Sequence, residues 1–157
     1  MIQRKQTLYL LASGILLLLT ILLSIAKVTT PEMVYSMNAM GYEDVSGELI
    51  YPTWMLFALT IIMVLISFIA IFMYNKRVVQ RRVTVFNLFL KLGFYVLVWI
   101  YMKDFLGSLD NVVETSWIKT IRVFMAMPII AMIFDYLAAR AIAIDEMTIR
   151  SINRLRK

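Results

Sequence analysis

Apolar positions in this chain fall into four long runs separated by polar connections: Leu8 to Ala26, Trp54 to Tyr74, Thr84 to Tyr101 and Ile118 to Ala139. Each run is about 18 to 22 residues, which as helix spans ~30 Å, the thickness of a bilayer hydrocarbon core. Lipid gives an unpaired backbone amide or carbonyl no partner, so segments of this kind are expected to be helical. The first run is longer than a signal-peptide core of about 7 to 15 residues and reads as a retained anchor. Ser24 and Ala26 leave a cleavage reading open, and Ile15 stands where a lipidated cysteine would be required.

The cations alternate between the connections. Arg4 and Lys5 precede the first run, Lys76, Arg77, Arg81 and Arg82 fill the second connection, and Arg150, Arg154, Arg156 and Lys157 lie at the far end. The other connections carry Glu32, Glu43, Asp44, Glu48, Asp104, Asp110 and Glu114, with Lys27, Lys103, Lys119 and Arg122 as the cations near the run ends. Positively charged connections stay in the cytoplasm, so both termini and the basic turn are expected inside and the 27–53 loop outside. Trp54, Trp99 and Trp117, with Tyr51 and Tyr101, cluster near the outer ends, where amphipathic rings favour the headgroup layer. The short connection from Asn75 to Val83 makes the second and third runs antiparallel neighbours. The expected fold class is therefore all-α: a polytopic membrane protein with four transmembrane helices in an antiparallel up-down bundle, followed by an amphipathic cytoplasmic helix over 140–157.

Small residues mark where helices could approach: Ala12, Ser13, Gly14, Thr20 and Ser24, then Gly93, then Ala126, Ala131, Ala138 and Ala139. Pro128 removes a backbone hydrogen bond and predicts a kink inside the fourth run.

Composition narrows the chemistry. The 157 residues are 62% hydrophobic and 17% charged, with no cysteine and no histidine. Disulfides, thiolate and imidazole metal sites and the common nucleophile–base pairs are thereby unavailable. No paired acids and no phosphate-cradling glycine loop occur either, so an enzyme is not expected, nor any cofactor. The net charge of +6 is spread in small groups beside the runs, which points to anionic lipid headgroups rather than nucleic acid as the counter-charge. The 27–53 loop is too short to bury a core of its own.

Three groups of residues remain as candidate sites. Asp135 is the carboxylate set well inside a run, and Lys91 lies at comparable depth one helical turn beyond Asn87. If the third and fourth helices touch, Asp135, Lys91 and Asn87 could form an intramembrane charged pair with a polar neighbour. Such a group is a functional candidate by default, although lysine can also snorkel to the interface. Arg77, Arg81, Arg82, Arg150, Arg154, Arg156 and Lys157 are candidate contacts for lipid or a partner, each cation contributing on the order of 1 kcal/mol near an anionic surface. Ala141, Ile144, Ile152 and Leu155 would form the apolar face of the tail, with Glu146 four residues before Arg150. Met33, Met37 and Met40 would stack on one face of a short amphipathic helix in the outer loop. Their thioethers are a weak candidate for a soft metal such as Cu(I), with no cysteine or histidine to complete it.

The start Met1-Ile2-Gln3-Arg4 with Gln6, Leu8 and Tyr9 supplies the first part of a resemblance. The turn Asn75-Lys76-Arg77 with Gln80 and Arg81, and the ending Leu137 to Ile142 with Asp145-Glu146, Arg150-Ser151 and Arg154-Leu155-Arg156, complete it. Together these stretches resemble domain-of-unknown-function family 4293, small four-helix inner-membrane proteins of Bacteroidota. Lys5 and Asn153 depart from that pattern. The resemblance implies an inner-membrane location and the four-span topology, and it assigns no activity. The expected role is a non-catalytic accessory, assembly or scaffolding subunit that meets other integral membrane proteins or itself. The alternative is a small ion or solute transporter using Asp135 and Lys91.

Overall fold

The structure, a computed structural model, describes residues 5–29, 34–108 and 123–155. Its elements run α1 (Lys5–Leu22), β1 (Ala26–Thr29), β2 (Val34–Met37), β3 (Gly41–Glu43), β4 (Leu49–Pro52), α2 (Trp54–Phe72), α3 (Arg77–Ser108) and α4 (Met127–Leu155), the last preceded by a 3-10 turn over Val123–Ala126. All four α-helices are long and apolar enough to cross a membrane. Helix α1 packs on α2 and α4, and α3 packs on the same two.

The helices follow the apolar runs without sharing their limits. Helix α3 extends beyond the 84–101 run at both ends, because backbone hydrogen bonding continues through charged residues where hydropathy falls. Helix α1 stops at Leu22 and the end of its run, Ala26, opens a strand. The span expected from residue 118 overlaps positions outside the described residues, and the helix observed there begins at Met127. Pro128 is accordingly the second residue of α4 rather than a mid-helix kink. A missing N–H is tolerated at that position because the first helical turn has no acceptor for it.

The 27–53 connection corrects the all-α expectation. It holds a four-stranded antiparallel sheet in the order β1-β2-β3-β4. Val34–Met37 is a strand, so the short helix expected to carry the methionines does not form, and Met37 is buried while Met40 is exposed. Alternation explains the strand: successive side chains on an extended backbone point to opposite faces, and Met37 faces the helices. Gly41 is required by close approach, since a Cβ there would lie 2.5 Å from the Tyr51 carbonyl oxygen. At the β3–β4 turn Gly47 takes a φ of 81°, its N–H donates to the Asp44 carbonyl at 2.9 Å, and the Asp44 side chain accepts from the Val45 N–H.

The loop is short for an independent core, and it shares one with the helices instead. Ile25, Ala26, Val28, Met37 and Tyr42 join Leu17, Leu56, Val98, Met102 and Phe105 in a single buried cluster. Tyr42 stacks on Phe105 at 3.9 Å between centroids, and Tyr35 and Tyr51 meet the same ring edge-on. These rings seat the sheet on the end of α3. Thr53 completes the junction: its N–H donates to the Met40 carbonyl and its hydroxyl to the Ala39 carbonyl.

The four helices are inverted in polarity relative to a water-soluble protein. Leu8, Leu11, Ile15 and Leu18 on α1, Ile62, Leu65 and Ile69 on α2, Phe86, Phe89 and Val96 on α3, and Ile129, Ile133 and Tyr136 on α4 face outward. Gln6, Ser13, Thr60, Ser67, Gln80, Thr84, Asn87, Lys91 and Asp135 are buried between the helices. A large apolar exterior of this kind is stable only against an apolar medium or a partner.

Candidate functional site

The inward stripe of α3 places its polar side chains by simple helical spacing. Gln80, Thr84, Asn87 and Lys91 follow one another at four, three and four residues, which keeps them on one face. The inward positions of α4 are Pro128, Ala131, Asp135, Ala138 and Ile142, at alternating intervals of three and four. Alanine on either side of Asp135 lets α3 come close enough for a long lysine side chain to reach it.

Lys91 Nζ lies 2.5 Å from Asp135 Oδ2, and both side chains are 0% exposed. The ammonium also donates to Ser13 Oγ at 2.6 Å and to the Ala131 carbonyl at 3.3 Å. An ammonium has three N–H groups, so these contacts use all of them. Asn87 Nδ2 donates to Ser67 Oγ at 2.9 Å and to Asp135 Oδ2 at 3.2 Å. The network therefore takes a side chain from every helix: Ser13 from α1, Ser67 from α2, Asn87 and Lys91 from α3, and Asp135 from α4. Charges so far from water persist only when paired and hydrogen-bonded.

Some of the interior polar atoms lack partners. Asp135 Oδ1, Asn87 Oδ1, Gln80 Oε1 and both amide atoms of Gln6 make no hydrogen bond in the structure. Gln80 Nε2 is satisfied by the Ala70 carbonyl at 2.9 Å. The hydroxyls of Thr20, Thr60, Ser67 and Thr84 each donate to the carbonyl four residues earlier in their own helix.

The basic residues separate into two groups. Arg81 lies 3.7 Å from Glu146, and Arg77 donates to the Asp145 carbonyl at 3.5 Å, so both are turned toward the end of α4. Arg82 is exposed beside them. This places the α2–α3 turn and the end of α4 at the same end of the molecule, opposite the sheet. The backbone of α4 continues through Arg150 and Arg154, whose side chains lie outside the described residues, as do Arg156 and Lys157. The expected apolar face of the tail is revised: Ile142 is buried and Ile144 is exposed, because the packing face follows the Ala131–Asp135–Ala138 stripe of the span. Glu146 meets Arg81 across the interface, whereas an Arg150 partner lies outside the described side chains. Met33 is also outside the described residues, and Met37 and Met40 do not share a face.

Ser13 and Ser67 enter the network without having been singled out for it, and Gln80 shares the α3 stripe but bonds to the Ala70 carbonyl instead. Ser13 reads in the sequence as a small residue permitting close packing, which hides its role as an acceptor for lysine. Gln80 and Thr84 were detectable, since they share the helical spacing of Asn87 and Lys91.

Fold and site together define a class: a mostly helical protein whose four long helices, apolar enough to cross a membrane, enclose a polar, charge-paired interior, capped at one end by a small sheet. A family model described as a domain of unknown function, DUF4293, matches residues 2–155, and the chain belongs to that family. No curated protein and no solved structure matches the chain.

Proposed function

We propose that this is a non-catalytic integral protein of a bacterial inner membrane, with the basic turn and both termini in the cytoplasm and the sheet outside. In this reading it serves as an accessory, assembly or scaffolding subunit of a membrane complex. The inverted polarity carries the reading: apolar side chains face outward along all four helices while the charged pair is turned inward. The Lys91 ammonium spends its three N–H groups on Ser13, Ala131 and Asp135, which fits a clamp that fixes helix packing. The co-location of the basic turn with the end of α4 fits the positive-inside assignment. Arg82 and the exposed Lys76 are then set to meet anionic headgroups, and the apolar helix faces to meet lipid or other membrane helices.

Cross-linking in native membranes, followed by purification in mild detergent, tests the role. A reproducible membrane-protein neighbour is expected, and consistent recovery of the chain alone would refute a subunit role. Reporter fusions at either terminus test the threading, with cytoplasmic signal expected from both.

A second reading, a small ion or solute carrier using Asp135 and Lys91, is favoured by one observation: Asp135 Oδ1 has no hydrogen-bond partner. Flux into reconstituted vesicles that disappears in Asp135→Asn would select this reading over the first.

A further inference from the structure

The inward stripe of α3 changes its chemistry at Lys91. Toward the basic turn it presents Gln80, Thr84 and Asn87, and toward the sheet Phe94, Val98, Met102 and Phe105, all of them buried. Gln80 lies eleven residues before Lys91, or ~16 Å of helix rise. The other helices reinforce the asymmetry. Gln6 of α1 and Ser67 of α2 add polar groups to the basic-turn half, while Phe94 and the Tyr42–Phe105 stack close the sheet half. Buried hydroxyls occur on both sides, Thr20 and Thr60 toward the sheet and Ser67 and Thr84 toward the basic turn, and each donates to the carbonyl four residues earlier, so the asymmetry rests on the amide and carboxylate groups.

The unpartnered buried atoms follow the same division within the helices. Both amide atoms of Gln6, Gln80 Oε1, Asn87 Oδ1 and Asp135 Oδ1 all belong to the half between the basic turn and the ion pair. Water entering from that end would gain hydrogen bonds at each step, whereas water entering past Phe94 and Val98 would find apolar surface. These side chains are closed to solvent in the structure, so entry proceeds by local opening, which costs least where the opened groups acquire partners.

We propose that Asp135 is a proton-binding site reached by water from the basic-turn end alone, along Gln80, Thr84 and Asn87. The proton adds to Oδ1, the oxygen without a partner, while Oδ2 continues to accept from Lys91 and Asn87. Bulk water supplies the proton and receives it back by the same route, so no other reactant is consumed. Lys91 is the charged side chain facing Asp135 among the described residues; α1 presents Ser13 and α2 presents Ser67, neither of which titrates in the accessible range. The inference goes beyond the subunit reading and is compatible with either a subunit or a carrier.

Magnetisation transfer from water to side-chain N–H groups in bilayer samples of the unmodified chain tests the route. Transfer to Lys91 and Asn87 is expected to exceed that to the backbone amides of Phe94 and Val98. The near-isosteric Thr84→Val should slow it several-fold, and Thr60→Val should leave it unchanged. Transfer no faster at Lys91 than at Phe94, no effect of Thr84→Val, or slowing by Thr60→Val instead would each overturn the proposal. Proton binding is read separately from the Asp135 carboxyl carbon shift in vesicles of uniform orientation. The shift should follow the pH of the compartment facing the basic turn; dependence on the opposite compartment, or none at any pH, would also overturn it. Failure to find a membrane partner would leave these outcomes untouched, so the subunit role and the proton site stand or fall apart.

Discussion

Lys91 of α3 and Asp135 of α4 are joined by a 2.5 Å contact in which neither side chain is exposed. Their surroundings make the pair a junction of the whole helix set, since Ser13 reaches Lys91 from α1 and Ser67 reaches Asp135 through Asn87. The energetic meaning of such a pair lies in the asymmetry between breaking it and replacing it.

Lys91→Met leaves the Asp135 carboxylate buried without its cation, and a loss of about 3–5 kcal/mol is expected. Adding Asp135→Leu removes the orphaned charge and should recover much of that loss. Unfolding of the single and double variants in mixed detergent measures both effects. A double variant as unstable as the sum of the singles would contradict the clamp.

Tyr42 is buried in β3 with a hydroxyl that has no hydrogen-bond partner. Tyr42→Phe keeps the stack on Phe105 and should leave stability unchanged or raise it by about 1 kcal/mol. Ultraviolet-monitored unfolding would detect a loss, which would signal a partner for the hydroxyl.

Burial, followed by the neighbouring Tyr51, pushes the Tyr42 phenol well above the ordinary tyrosine range. With the folded-state value raised, its contribution is fully present below about pH 10, where free tyrosine begins to ionise, and is lost as pH climbs beyond it. The sheet should therefore weaken in strong alkali, and Tyr42→Phe should blunt that part of the decline. A pH-dependent unfolding series on both forms checks the sign.

Gly41→Ala would set a Cβ 2.5 Å from the Tyr51 carbonyl oxygen and 2.8 Å from Leu49 Cδ1. The backbone of β4 must then shift, and a cost of about 1–3 kcal/mol is expected. Gly93→Ala meets nothing within 4 Å and should be tolerated. Equal thermal stability of the two alanine variants would remove the close-approach account of Gly41.

Arg81→Ala removes a contact with Glu146 that is 3.7 Å long and 43% exposed on the arginine side. Solvent screening limits the stability effect to less than about 1 kcal/mol. A thermal unfolding midpoint close to that of the unmodified chain is the expected result, and a drop as large as that of Lys91→Met would place a buried charge network at this end.

The helices were legible from composition because their apolar runs are long and separated by charges. The sheet was not. Strands of three or four residues between Ala26 and Pro52 carry too few alternations to stand out, and Met37 of β2 belongs to a helical spacing with Met33 and Met40 as readily as to a strand. The polar stripe on α3 occupied an intermediate position: Asn87 and Lys91 drew attention as a pair, whereas Gln80 and Thr84 passed as residues near a span end.

Hydropathy and charge, which act along one dimension, were sufficient to set out four apolar helices and to nominate Lys91 and Asp135 as groups at similar depth. The rotational setting of each helix was left to the tertiary structure, because it depends on which faces pack. That packing joined the pair through Ser13, Asn87 and Ser67, turned Arg81 toward Glu146, and seated a sheet with no separate core on Phe105. Contacts between residues dozens of positions apart leave no local pattern, so only the folded chain displays them.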